Sequence, residues 1–212
     1  MSSDFELLAE WSQGDRTAGN ELLSRHFVSI YRFFRNKVDG EVQDLVQDTF
    51  LRCTESGDGF AGRSTFRAFL FGVARRVLYD HLRAYYRDRA QLDFAEVSVA
   101  ELAAEMGTSP SQFVVRHEEH RVLLQALRTI PLDHQVALEL AYWEGLSGPE
   151  IGAVLGLPAN TARTRLRRAR VALTERVHEL LADPAVVQST VDNLDRWAAS
   201  LREYVDQDAP AS

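Results

Sequence analysis

The sequence predicts an all-α protein: two small helical domains joined by an acidic linker, with an amphipathic helix in a C-terminal extension. Three observations carry that expectation. Apolar residues recur at steps of three and four nearly everywhere, the period of a helix with one buried face. No stretch alternates convincingly between apolar and polar residues as a half-buried strand would. Between residues 88 and 117 the helical pattern weakens and acids accumulate, so the chain divides there. The expected bounds are 1–87 for the first domain, 88–117 for the linker, 118–177 for the second domain and 178–212 for the extension.

In the first domain, Asp4 can cap a short opening helix that ends before Gly14. Leu22, Leu23, Phe27, Ile30, Phe33 and Phe34 mark the apolar face of the next helix, and Val42, Leu45, Val46, Thr49 and Phe50 that of a third. Ser64 or Thr65 can cap a long fourth helix that carries Phe66, Phe69, Leu70, Val73, Val77 and Leu82 and runs to about Arg87. The linker and its border hold seven acids, from Asp88 to Glu119, against Arg89 and Arg116, with one helical piece expected within. Helical pattern resumes at Glu118. In the extension, Val187, Val191, Leu194, Trp197, Leu201, Tyr204 and Val205 form one apolar stripe opposite Asp192, Asp195, Glu203 and Asp206. Such a stripe is a liability when exposed, so that helix is expected to dock, on the protein's own domains or on a partner.

Composition narrows the functional classes. With 212 residues, 45% hydrophobic and 26% charged, the chain has the make-up of a soluble globular protein with a core to bury. No window approaches the roughly 18 continuous apolar residues of a membrane span. The N-terminal residues lack the basic start and apolar run of a signal peptide, so a cytoplasmic location is expected. Cys53 is the only cysteine, which rules out an internal disulfide.

Against a net charge of -7, five arginines (Arg163, Arg165, Arg167, Arg168 and Arg170) fall within eight positions. Like charges so placed on a helix repel, and a polyanionic partner would offset that cost. The flanking residues say which kind. Ser147 and Glu150 form a capping-box pattern, Ile151, Val154 and Leu155 give the helix behind it one apolar face, and Gly156 can stop it. Leu157 and Pro158 make a turn; Asn160 or Thr161 can cap a second helix whose buried face is Ala162, Leu166, Ala169 and Leu173. At 100° per residue, Arg163, Arg167 and Arg170 then project to one side while Arg165 and Arg168 flank the other. This is a helix-turn-helix with an arginine-lined second helix, suited to the DNA major groove. A merely solvated face is the alternative.

A second basic segment runs from Arg63 to Arg87, through Arg67, Arg75, Arg76 and Arg83, with only Asp80 opposed. Phe60, Phe66, Phe69, Phe71, Tyr79, Tyr85 and Tyr86 interleave with it. Exposed rings beside arginines can stack unpaired bases. Phe66, Phe69 and Tyr79 are expected in the core instead, whereas Phe60 sits in a glycine-rich stretch with less helix to pack against.

The two blocks resemble a known family. DLVQDTFLRC, followed by GFAGRSTFRAFLFGVARRVLYDHLR, is similar to region two of a group 4, extracytoplasmic-function sigma factor, and IPLDHQVALELAYWEGLSGPEIGAVLGLPANTARTRLRRARVAL to its region four. The resemblance implies a subunit of bacterial RNA polymerase, with promoter DNA and the core enzyme (its largest-subunit clamp helices and its flap) as partners, and an anti-sigma factor as a candidate further partner. By the same resemblance, Arg163, Thr164, Arg165, Arg167 and Arg168 would read the minus-35 duplex. Phe60, Arg63, Arg75, Arg76 and Arg83 would meet the melted minus-10 element, and the acidic linker would thread the polymerase's nucleic-acid channel. Glu41, Asp44, Gln47, Asp48 and Phe50 would dock on a basic coiled coil of the polymerase; the acids fall three and four apart and are expected on one helix face, where a solvated face is the alternative. Arg76 stands where the family commonly has asparagine, and Asn160, Thr161 and Ala162 where it commonly has Gly-Thr-Val.

No catalytic residue, metal or cofactor is expected. Gly57 to Gly62 satisfy a G-x-G-x-x-G spacing, yet no strand and helix alternation surrounds them. His117 and His120 stand three apart without further nearby ligands. A helical repressor or activator acting alone would leave the first block without a purpose, and a decoy for an anti-sigma partner would not need five arginines.

Overall fold

The computed structural model describes residues 2–38, 40–55, 65–85, 93–105 and 118–180. Among these residues lie nine helices and no strand, apart from a single bridge between Ser98 and Pro131. The chain divides into two compact units. The first holds α1 (Asp4–Ser12), α2 (Arg16–Arg35), α3 (Val42–Glu55) and α4 (Phe66–Tyr85). The second holds α5 (Val99–Glu105), α6 (Glu118–Thr129), α7 (Leu132–Tyr142), α8 (Gly148–Leu155) and α9 (Ala159–Leu180).

Unit 1 closes around large side chains. Leu22, Ile30, Phe34, Phe50, Leu70, Phe71 and Leu78 are all under 2% exposed, so each helix from α2 to α4 contributes to one core. The cap of α1 differs from expectation. Ser3 accepts the amide of Glu6 at 3.3 Å while the Glu6 carboxylate accepts the Ser3 amide at 2.6 Å, a complete capping box. Asp4, the first helical residue, is thereby released to α2, where its carboxylate accepts from Arg25 at 2.7 Å and meets His26 Nε2 at 2.8 Å. Burial pushes the Asp4 carboxyl up, but those two partners outweigh it and hold it below the usual carboxylate value. Arg52 of α3 pairs with Asp48 of the same helix at 3.0 Å and with Asp80 of α4 at 2.7 Å. The expected cap of α4 is met by Thr65, whose Oγ1 accepts the Ala68 amide at 3.3 Å.

In unit 2 the helical piece expected within the acidic segment is α5, and its surroundings are not those of a free linker. Phe94, Val99 and Leu102 are buried. The cause lies at the start of α7, where the N-cap is Pro131 and supplies no side-chain hydrogen bond. The first amides of a helix lack intrahelical partners. Here Leu132 N–H donates to the Val97 carbonyl and Asp133 N–H to the Phe94 carbonyl, both at 2.9 Å. Residues 93–98 therefore cap α7 with backbone.

The helix-turn-helix follows the sequence closely. Ser147 and Glu150 make the capping box of α8, and Gly156 ends it in the left-handed region at φ 69°. Leu157 N–H then donates to the Gly152 carbonyl at 2.8 Å. A Cβ on Gly152 would lie 2.7 Å from the Leu157 carbonyl oxygen, so only glycine lets the turn fold back on α8. One detail departs from expectation: α9 begins at Ala159, and the Ala162 amide donates to the Pro158 carbonyl at 2.9 Å. Asn160 and Thr161 thus sit inside the first turn rather than capping it, because Pro158 already opens the helix. At its other end α9 continues to Leu180, past the boundary expected at residue 177. The extension helix expected beyond residue 181 lies outside the described residues, as do residues 57–62 and His117.

Gly152→Ala is expected to destabilise unit 2 by about 1–3 kcal/mol through overpacking against backbone that cannot rotate away. Urea unfolding followed by tryptophan fluorescence measures it; an unchanged midpoint would show that the turn relaxes freely.

Candidate nucleic-acid interface

The inner edge of α9 decides which of its residues face outward. Ala162, Ala169, Leu173 and Val177 are at most 2% exposed, and Leu166 is partly buried against the same cluster. With that edge fixed, Arg163, Thr164, Arg167, Arg168 and Arg170 are exposed. The Arg163 stem lies across the start of α8, 3.4 Å from where a Cβ on Gly148 would stand, and its Nη1 reaches Asn160 Oδ1 at 3.4 Å. Arg170 sits over the Tyr142 ring of α7, 5.1 Å from its centroid, within the range of a cation–π contact. Thr164 donates its hydroxyl to the Asn160 carbonyl at 3.0 Å.

Arg165 differs from the other four arginines. Its side chain is 23% exposed and its Nη1 forms an ion pair with Asp133 Oδ2, whose side chain is 9% exposed. Beside it, burial lowers the His134 pKa, Arg165 and Arg168 lower it further, and Asp133 opposes them. The spacing of the arginines did not disclose Asp133. Its signal is positional: Arg165 follows the buried Ala162 by three residues, on the side of α9 that borders α7.

In unit 1, α4 carries Arg76 and Arg83 on its exposed side, with Arg83 3.9 Å from Asp80. Arg75 is half-buried and lies over the Tyr79 ring at 4.4 Å. As expected, Phe66 and Tyr79 are buried; Phe71 is too, and Phe69 is half-buried. Tyr85 is the ring of α4 left in the open, 56% exposed and stacked on His81 with centroids 6.0 Å apart. Phe60 and Arg63 lie outside the described residues.

The acidic group on α3 requires two corrections. Glu41 is not on the helix: it precedes α3 at φ 44°, its carbonyl accepts the Leu45 amide at 3.1 Å, and its carboxylate lies 3.8 Å from His81. Phe50 is 1% exposed and faces Trp11 at 6.4 Å, so it is a core residue and not a docking contact. Its position follows from the helical period, since the edge that carries Val42, Leu45, Val46 and Thr49 inward also carries Phe50. Asp44 and Gln47 are exposed, while Asp48 is engaged with Arg52. Sequence reasoning missed Arg52 itself. Cys53 is buried, and burial pushes its thiol up to about 12, which leaves it inert at neutral pH. Among the described residues, no group of three or more His, Cys, Asp or Glu could hold a metal ion, and no helix is long and apolar enough to cross a membrane.

Comparison with known proteins gives this two-part arrangement its class. Residues 22–88 match the family model of sigma-70 region 2, and residues 120–173 match that of sigma-70, region 4. These are the two units just described, in the order of a sigma factor. Curated relatives include the ECF RNA polymerase sigma-E factors of Escherichia coli strain K12 and Salmonella typhi, each 27% identical over 184 residues, or 84% of this chain and 96% of the relative. That of Haemophilus influenzae is 27% identical over 185 residues, covering 84% and 97%. Among solved structures, CnrH in complex with the cytosolic domain of CnrY matches with a TM-score of 0.52 at 26% identity, covering 84% of this chain and 99% of that one. The sigma factor RpoE of Bartonella quintana, in complex with the anti-sigma factor NepR, shares the fold, with a TM-score of 0.55 at 23% identity over 75% and 95% of the two chains. The chain belongs to the extracytoplasmic-function, group 4 sigma factors of the sigma-70 family. It is accordingly a factor of transcription initiation, in a family of regulators rather than enzymes.

The depressed His134 pKa makes a prediction. Below the ordinary value of 6.5 the unfolded chain takes up a proton that the folded imidazole refuses. Stability is therefore full above that pH and is lost as pH falls toward the lower folded pKa. His134→Gln should flatten this acid loss, read as urea midpoints between about pH 7.5 and 5. Parallel losses in variant and parent would show that His134 does not contribute.

Proposed function

We propose that this chain carries core RNA polymerase to specific promoters by inserting α9 in the major groove of the minus-35 duplex and capturing melted minus-10 DNA on unit 1. One observation supports the first part above all others: a helix-turn-helix whose second helix is seated by small residues and leaves Arg163, Thr164, Arg167 and Arg168 outward. A recognition helix needs that combination, since the groove admits a helix only when its outer side is free. The domain bounds proposed for these roles are 1–87 and 118–177.

On unit 1, Arg76 and Arg83 would hold the strand's phosphates, together with Arg63, and Phe60 would receive an unstacked base. Arg75, over Tyr79, would act as a brace for that surface. Asp44, Gln47 and Asp48 would meet a basic element of the polymerase, where opposite charge speeds encounter. Because both neighbouring structures are complexes with a second protein, in one of them an anti-sigma factor, an anti-sigma partner is proposed for this chain too. The extension from residue 178 would restrain duplex binding until it is displaced.

Arg163→Ala and Arg167→Ala should each weaken binding to a duplex selected by the wild-type chain from a randomised pool. A guanine contact would cost about 1–3 kcal/mol and relax preference at one base; a phosphate contact would weaken all sequences alike and flatten the salt slope by about one. Unaltered binding by both variants would remove α9 from the interface.

Phe60→Ala and Asp48→Lys should fail at different steps. The first should keep polymerase binding and lose strand opening, and the second should lose the polymerase first. Permanganate footprints read beside a polymerase pull-down separate them, and failure of both at the same step would refute the assignment.

A further inference from the structure

Five arginines crowd α9, and the structure sorts them. Arg163, Arg167, Arg168 and Arg170 are exposed, but Arg165 is turned toward α7 and paired with the buried Asp133. Asp133 is held in its turn by backbone: its amide donates to the Phe94 carbonyl at 2.9 Å, and the neighbouring Leu132 amide to Val97 at the same distance. The carboxylate is thus fixed at the first turn of α7, where the amide ends of a helix favour negative charge. A guanidinium at 165 meets a preset anion.

Resting on the minus-35 assignment above, we propose that Asp133 and Arg165 form a positioning pair rather than a DNA contact. The pair fixes the rotation of α9 against α7 and thereby aims Arg163, Arg167 and Arg168 at the groove. Two consequences follow from its geometry. Paired to Asp133, Arg165 adds no net charge to the helix, so it neutralises no phosphate. Without Arg165, the Asp133 carboxylate would keep its charge beneath the recognition helix and lose the guanidinium that balances it, which is worse than removing both charges.

The test compares Arg165→Gln, Arg167→Gln and the double variant Asp133→Asn with Arg165→Gln, each as the full chain assembled with bacterial core polymerase. The double variant keeps a neutral hydrogen bond between the two positions and removes both charges. Affinity for the selected minus-35 duplex is measured over a range of salt. Arg167→Gln should flatten the dependence of log affinity on log salt by about one. Arg165→Gln alone should lose affinity on the order of tenfold, and the double variant should recover most of that loss while keeping the wild-type slope. A double variant as weak as Arg165→Gln, or one whose slope is flattened as in Arg167→Gln, would overturn the positioning role while leaving minus-35 binding intact. If Arg167→Gln changes neither affinity nor slope, duplex reading by α9 falls, and the positioning role falls with it. Melting temperatures keep the result interpretable: a variant that binds poorly yet melts like the parent has lost aim, not fold.

Discussion

The buried edge of α9 is the constraint on which unit 2 depends. Ala162 and Ala169 are the smallest side chains that can be placed there without loosening the helix, and both are at most 1% exposed. Small residues on an inner edge let neighbouring backbones approach, and α6, α7 and α8 all pack on this one helix. With that edge inward, the helical period places Arg163, Arg167 and Arg170 away from the core. The arginines are exposed because the alanines are not. The turn before them obeys the same economy, with Gly152 giving way to the Leu157 carbonyl.

Unit 1 solves a different problem with different means. Its helices are held by rings and branched chains, and its polar links between helices lie at the margins: Asp4 to Arg25 and His26 between α1 and α2, and Arg52 to Asp80 between α3 and α4. Partly exposed ion pairs of this kind contribute little to stability. Their effect is on register, since a carboxylate at one position and a guanidinium at another meet in only one alignment of the two helices. Asp48, which pairs with Arg52 within α3, also stands among the residues proposed to meet the polymerase, so the docking face borders the link between α3 and α4.

Most of this architecture is legible in the sequence, because helical period, capping pattern and turn residues are local. Ser147 with Glu150, Gly156 as a stop and the small inner residues of α9 can all be read from neighbours within four positions. What escapes local reading depends on partners distant in the chain. Asp4 looks like a cap until Ser3 takes that role and frees it for α2. Lys37 is 4% exposed although a lysine, its ammonium donating to the Phe33 carbonyl at 2.6 Å and lying over the Phe33 ring. Phe50 belongs to a motif expected at a surface, yet the periodicity that places Val46 inward places it inward too. Arg165 shares a cluster with residues of one charge, and only the packing of α7 separates it from them. The segment 93–105 looks like an acidic spacer because its charges are plain to see, whereas the backbone carbonyls that cap α7 leave no mark in the sequence.

Cys53 gives the protein an internal clock. The thiol is fully buried on α3, next in the helix to the Arg52 link, and its ionisation is displaced to about 12. Alkylation requires both access and thiolate, and neither exists while unit 1 is closed. The rate at which a thiol reagent modifies the native chain therefore counts openings of unit 1, with no cysteine introduced for the purpose. The same silence leaves the outer face of α9 free for chemistry: a cysteine placed there would react against almost no background, so probes of distance or mobility could be attached without first removing Cys53.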